Sequence, residues 1–121
     1  MNNKITWSIL KVLNEENVNE SPDEAGVYRL SYKSADSDIY VFYVDKADKS
    51  LRDSLKPFLK KITNNPCIKT FLENLECYFK FAIVNNAIQR ENIIKTLYSH
   101  YTPKCNLEIP KGEIIEGINF N

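Results

Sequence analysis

The spacing of apolar residues changes period several times along this chain, and each change marks an element boundary. Trp7, Ile9, Leu10 and Leu13 sit at intervals that predict a short amphipathic helix over 6–13. The next stretch, Asn14–Asp23, is polar, acidic and broken by Pro22, so it reads as a loop. Gly26–Tyr32 alternates in a strand-like way. Ile39–Val44 is a dense run of β-branched and aromatic residues, the strongest strand signal in the chain. The turn formers of Lys33–Asp38 join these two runs, and an antiparallel hairpin is the simplest arrangement.

From Asp48 the period becomes helical. Leu51, Leu55, Phe58, Leu59 and Ile62 fall on one face, with Pro57 either kinking the helix or lying in its first turn. After Thr63–Pro66, the residues Ile68, Phe71, Leu72 and Leu75 predict another short helix. Glu76–Val84 alternates Cys77, Phe79, Phe81 and Ile83 and predicts a third strand. Asn85 and Asn86 offer an N-cap for a helix running to about Tyr101 and stopped by Pro103. Ile114, Ile115, Ile118 and Phe120 give the tail apolar positions with which to pack back as an extended arm. The pattern predicts one α+β domain: a small three-stranded antiparallel sheet flanked by helices, with an N-terminal helix and a C-terminal tail.

Composition narrows the class without naming a chemistry. Of 121 residues, 43% are apolar, and sixteen basic residues balance sixteen acidic ones, so a strongly basic nucleic-acid-coating surface is excluded. No apolar run reaches the roughly 20 residues of a membrane helix, and the N-terminus lacks a signal-peptide pattern. A cytoplasmic domain with no membrane partner is the expectation. The charge is nonetheless uneven. Glu15, Glu16, Glu20, Asp23 and Glu24 concentrate acid before the first strand, whereas Lys46, Lys49, Arg52, Lys56, Lys60 and Lys61 outnumber Asp48 and Asp53. Such a run is usually a solvated helix face, and beside an active site it is a phosphate-contact surface.

Three cysteines (Cys67, Cys77 and Cys105) and one histidine do not make a structural zinc set. Cys77 lies in the strand pattern as a small core residue. Cys105 and His100, five residues apart around a proline, set no nucleophile–base geometry, and no GxSxG elbow presents a serine.

One carboxylate stands out. Along the helix after Asn86, the residues Ala87, Ile94, Leu97, Tyr98 and Tyr101 form an apolar stripe. Glu91 projects about 40° from Ala87 and about 20° from Tyr98, within that stripe. It is either a stripe-edge glutamate that pairs with a lysine or arginine or reaches water, or a metal ligand or acid–base group in a helix–sheet cleft. Tyr28, Tyr32, Tyr40 and Tyr43 crowd the hairpin. Strict alternation puts Tyr28 and Tyr32 on one face, and Tyr40 and Tyr43 on opposite faces.

Taken together, these motifs resemble the GIY-YIG nuclease superfamily. Gly26-Val27-Tyr28 matches the first motif. Tyr43-Val44-Asp45-Lys46-Ala47 is similar to the YVGKA run of the excision-repair incision nucleases. Ser50-Leu51-Arg52-Asp53-Ser54-Leu55 follows as the helix motif, then Glu91, then Pro103-Lys104-Cys105-Asn106 as P-x-x-N. The resemblance spans 22–106, leaving 1–21 as an N-terminal helix and acidic loop and 107–121 as an extension. It implies hydrolysis of a DNA phosphodiester with one divalent cation, Mg²⁺ or Mn²⁺. Under it Glu91 is the metal ligand, Tyr28 a general base or water-orienting hydroxyl, Tyr43 a positioning hydroxyl and Lys46 a cation near the phosphate. Arg52, Lys49 and Lys56 become substrate contacts, while Asn106 and Gly26 brace the site.

Two positions depart from the family pattern. Ser54 or Asp53 stands where the family's catalytic arginine falls, and Asp45 replaces the glycine of the second motif, adding negative charge near the phosphate position. Two functions follow: a metal-dependent DNA endonuclease, with Arg52 or Lys46 covering for the arginine, or a non-catalytic module binding nucleic acid or a protein partner. An unrelated α+β domain, in which Glu91 pairs with Lys46 as a structural bridge, is the third option.

Overall fold

A computed structural model describes residues 5–120; the start of the N-terminal segment (1–4) and the last residue of the tail (121) lie outside the described residues. In chain order the elements are β1 (Lys11–Val12), α1 (Glu15–Asn19), β2 (Gly26–Lys33), β3 (Ile39–Ala47), α2 (Leu51–Leu59), α3 (Pro66–Asn74), β4 (Cys77–Ile83) and α4 (Ala87–Tyr101). The sheet is antiparallel with spatial order β1-β4-β2-β3, which leaves β3 as an outer edge. The α+β class is as expected, but the sheet has four strands instead of three.

The fourth strand replaces the predicted N-terminal helix. Ser8 donates its N–H to the Phe81 carbonyl (2.8 Å) and its hydroxyl accepts from the Phe81 N–H (3.0 Å), drawing this segment along β4. Ile5 and Trp7 face the core at period two, whereas Ile9 is 75% exposed, which a helical stripe would not produce. The helix forms later, in the stretch expected to be a loop. Asn14 caps it by accepting from the Asn17 N–H, Glu15 and Glu16 sit favourably in its first turn, and Val18 is fully buried.

Helices cover both faces of the sheet. On one face Leu51, Leu55 and Phe58 of α2 and Ile68 and Leu72 of α3 pack on Tyr28, Leu30 and Phe79. Pro57 lies near the C-terminal end of α2, only two residues before Leu59. On the other face Ile93, Ile94 and Leu97 of α4 pack on Val27, Val44 and Ala82. The α4 stripe is rotated from the expected one: Ala87 is exposed, and Arg90 is buried instead. Its guanidinium is accommodated by the Val84 carbonyl (2.9 Å) and Asp48 (3.3 Å). The tail packs back on this face through Ile115, Ile118 and Phe120, while Ile114 stays 59% exposed. Asn119 clasps Ile5, accepting from its N–H (2.7 Å) and donating to its carbonyl (2.8 Å).

The β2–β3 pairing contains one irregularity. Leu30 pairs with Tyr43 and Ser31 with Val41, so Phe42 is an extra residue in β3. Residues directly opposite in an antiparallel pair share a face. Tyr40 pairs with Tyr32, and Tyr43 with Leu30, so both lie on the face of Tyr28 and Tyr32. Strict alternation is therefore corrected at this point: the bulge carries Tyr43 to the side of Tyr28.

Two devices fix the chain after α4. Thr102 takes a left-handed conformation (φ 43°), unusual for a β-branched residue, and turns the chain out of the helix. Cys105 is then joined to Cys67 at the start of α3 by a disulfide, with Cα atoms 5.3 Å apart. This pairing has no mark in the sequence, because sequence separation carries no information about which thiols meet. Cys77 is buried, and burial pushes its thiol up to about 11.

The disulfide closes a loop of 38 residues, for which chain entropy supplies at most about 4 kcal/mol. Cys67→Ser is expected to lower the urea midpoint by a corresponding amount, and dithiothreitol to erase the difference between variant and wild type. A variant as stable as oxidised wild type would show that the bridge contributes nothing.

Candidate functional site

The open edge of β3 is where side chains from the two sheet faces come together. Tyr43 and Asp45 project to one face, Val44 and Lys46 to the other, and α4 brings Glu91 alongside Lys46. Between β3, α4 and the chain after Asn106 lies a cleft of about 510 Å³, lined by Tyr43, Asp45, Lys46, Glu91 and Asn106 among others. Of the site residues expected from the sequence, Tyr43, Lys46, Glu91 and Asn106 thus share one wall system.

Asn106 holds that wall in place. Its side-chain amide pairs with the Val44 backbone in both directions, accepting from the N–H and donating to the carbonyl, both at 2.9 Å. It thereby mimics a neighbouring strand at the unpaired edge. The Cys105 N–H donates to the carbonyl of the bulge residue Phe42 (2.8 Å), and the Asn65 amide donates to the Cys105 carbonyl (2.8 Å). Gly26 is fixed for a different reason. A Cβ there would collide with the Ala82 carbonyl and stand 2.8 Å from Leu51 Cδ1, so only glycine lets β4 and α2 close on the start of β2.

The charges are paired. Lys46 Nζ lies 3.1 Å from Asp48 and 3.5 Å from Glu91, and Asp48 also meets Arg90. Hydrogen bonding to Asp48 comes first among the causes that raise the Lys46 pKa, and the same bond lowers that of Asp48. Lys46 is therefore a fixed cation at neutral pH. Asp45 turns back on its own strand: one oxygen accepts from the Tyr43 hydroxyl and the other from the Lys46 N–H, both at 2.8 Å. The Lys46–Glu91 pairing anticipated as a structural bridge does form, with Glu91 still about half exposed to the cleft.

Tyr28 is 3% exposed and lies behind this wall, its ring packed on Tyr43 (6.4 Å between centroids) and Phe58 (6.1 Å). Burial, reinforced by the Asp45 carboxylate, raises both the Tyr28 and Tyr43 phenols above their ordinary range. Arg52, Lys49 and Lys56 do not line the cleft. Arg52 donates from Nε to the Ser21 carbonyl (3.0 Å), Lys56 pairs with Asp53 (3.5 Å) and Lys49 is exposed. Among the described residues no group of three or more His, Cys, Asp or Glu side chains could cage a metal. One half-exposed carboxylate suits a cation that keeps most of its waters, as Mg²⁺ does. Glu91 fits that requirement. Sequence reasoning missed Arg90, Asp48 and the residues beyond Asn106 as parts of this region. The helical stripe gave the neighbourhood of Arg90 but not its rotation.

Two outcomes follow. Removing the amide in Asn106→Ala leaves the Val44 N–H and carbonyl unpaired, costing about 1–3 kcal/mol, and hydrogen exchange at Val44 is expected to accelerate by a matching factor; unchanged exchange would deny the brace. Titration of the seven tyrosines by ultraviolet absorbance should find Tyr28 and Tyr43 ionising late. Each phenol keeps its proton in the fold above pH ~10, where the unfolded chain loses it, so stability falls as pH rises through that range. Tyr28→Phe that removes amplitude near pH 10 would contradict this.

No protein-family model and no curated protein matches the chain. Solved structures do. The magnesium-bound GIY-YIG N-terminal endonuclease domain of UvrC from Thermotoga maritima is similar with a TM-score of 0.60 at 23% identity, over 76% of this chain and 93% of that one. A tyrosine point mutant of the same domain, bound to its catalytic divalent cation, gives 0.58 at 24% identity over 77% and 93%. At such identities the likeness carries the architecture, and it excludes an unrelated α+β fold: the chain is a domain of the GIY-YIG fold.

Proposed function

We propose that this domain is a metal-dependent DNA endonuclease that hydrolyses phosphodiester bonds in the cleft at the β3 edge. The observation that carries this is the convergence of Tyr43, Lys46, Glu91 and Asn106 on one cleft, in a fold shared with an endonuclease domain that binds a catalytic divalent cation. Glu91 would hold Mg²⁺ or Mn²⁺, and the ion would supply an activated water and neutralise charge developing on the phosphate. Lys46, already a fixed cation beside Glu91, stabilises the phosphate oxygens. The Tyr43 phenol stays neutral and orients water or phosphate as a hydroxyl. Tyr28, buried and not lining the cleft, is a positioning residue that acts through the Tyr43 ring.

A second function has an observation of its own. Asp45 places a carboxylate on the cleft wall and α2 brings no arginine to it, which favours a non-catalytic module binding nucleic acid or a protein. Asp45 is satisfied by two donors of its own strand, and this weakens its repulsion of a phosphate without removing it. No helix of the described residues is long and apolar enough to cross a membrane. A cytosolic location belongs to this reading although the cytosol keeps disulfides reduced, since the Phe42 and Asn65 hydrogen bonds hold the Cys105 loop independently of the bridge.

The test is an assay on single-stranded, duplex and branched DNA with and without Mg²⁺ or Mn²⁺. Wild type is expected to cleave only with metal, Glu91→Ala not at all, and Lys46→Ala about 10²–10³-fold more slowly. Metal-dependent cleavage surviving Glu91→Ala would sink the site assignment. Salt-sensitive DNA binding without turnover would establish the binding module.

A further inference from the structure

The segment after Asn106 forms a wall of the cleft and is held there at both ends. At one end, Cys105 and Asn106 are tied to β3 by the hydrogen bonds described above. At the other, Gly112 lies directly on the α4 backbone at Glu91. A Cβ on Gly112 would collide with the Glu91 carbonyl group and stand 2.6 Å from the Asn92 nitrogen. The stitching continues as Glu113 donates its N–H to Asn92 Oδ1 (2.9 Å) and Ile115 donates to Thr96 Oγ1 (3.0 Å). Residues 107–111 therefore span the cleft as a strap, and Lys111 is the residue immediately before the point of closest approach to Glu91.

Lys111 lines the cleft and is exposed. It enters no ion pair among the described residues. Among the described residues the only other ammonium on the cleft wall, Lys46, is already shared between Asp48 and Glu91. The cleft carboxylates Asp45, Glu91 and Glu108 outnumber these two ammoniums by one, so a polyanion needs every cation the wall offers, and a divalent ion at Glu91 would reverse the sign.

We propose that Lys111 is the second phosphate-binding cation of the cleft, presented by the C-terminal strap, with Gly112 setting its position by contact with the Glu91 peptide. This rests on the cleft being the nucleic-acid site. Lys111 contacts the backbone of the bound strand and contributes affinity across sequences alike, because a phosphate contact carries no base information.

The experiment is fluorescence anisotropy of a labelled single-stranded oligonucleotide and of its duplex, with the full chain in Ca²⁺, across a salt series. Lys111→Ala is expected to weaken binding about three- to tenfold and to lower the salt slope by about one, as loss of a single phosphate contact does. Lys111→Arg should restore both, and Lys11→Ala, on β1 at the opposite edge of the sheet, should change neither. Gly112→Val, checked for folding by circular dichroism, should reproduce the Lys111→Ala loss by lifting the strap. Loss of affinity in Lys46→Ala with wild-type binding in Lys111→Ala overturns the strap assignment and leaves the cleft reading standing. No salt-dependent DNA binding by wild type overturns both.

Discussion

The extra residue at Phe42 decides where the edge strand aims its side chains, and the candidate site follows from that choice. Without it, a period-two strand would send Tyr43 away from the face that carries Tyr28. With it, Tyr43 packs on Tyr28 and reaches Asp45, while Lys46 still points to α4. A bulge at a sheet edge is easily lost, since no second strand holds it in register. Here the Cys105 N–H occupies the Phe42 carbonyl and the Asn106 amide occupies Val44, so the loop after α4 does the work of a missing strand. A proline, a left-handed threonine and a bridge to α3 bring that loop to the edge.

Charge in this molecule is organised locally. Zero net charge conceals an acidic segment before β2 and a lysine-rich one that starts at the end of β3. The lysines of that segment, however, divide between surface and site. Lys46 enters a chain of contacts running Glu91–Lys46–Asp48–Arg90. Its far member, Arg90, is buried, with its charge compensated by Asp48 and a backbone carbonyl; removing Asp48 would leave that buried charge without a counter-ion at the helix–sheet boundary. Glu91 is thus positioned by neighbours that are themselves fixed, and its remaining exposure faces the cleft.

The hairpin, the helices after Asp48 and Pro66, the third strand and α4 were all legible in the sequence, because each has a sustained period and an identifiable cap or breaker. The candidate residues Glu91 and Asn106 were legible only as members of an ordered set of weak motifs. The N-terminal segment departs from the expected helix because four apolar residues over eight positions satisfy a helical template, while the hydrogen bonds between Ser8 and Phe81 that decide the outcome are tertiary. The Phe42 bulge has no local mark: IYVFYV is equally good strand with or without it. The Cys67–Cys105 pairing and the strap over the cleft depend on segments meeting that are far apart in sequence, and periodicity is silent about such meetings.

The central claim is that the β3 edge, Glu91 and Asn106 form one cation-dependent cleft. Paramagnetic broadening of amide resonances on titration with Mn²⁺ tests it most directly, since it reports where the ion binds without requiring turnover. Broadening centred on Tyr43–Lys46, Glu91 and Asn106, displaced by Mg²⁺ and absent in Glu91→Ala, is the predicted result. Broadening confined to the acidic segment of 15–24, or unchanged by Glu91→Ala, would contradict it.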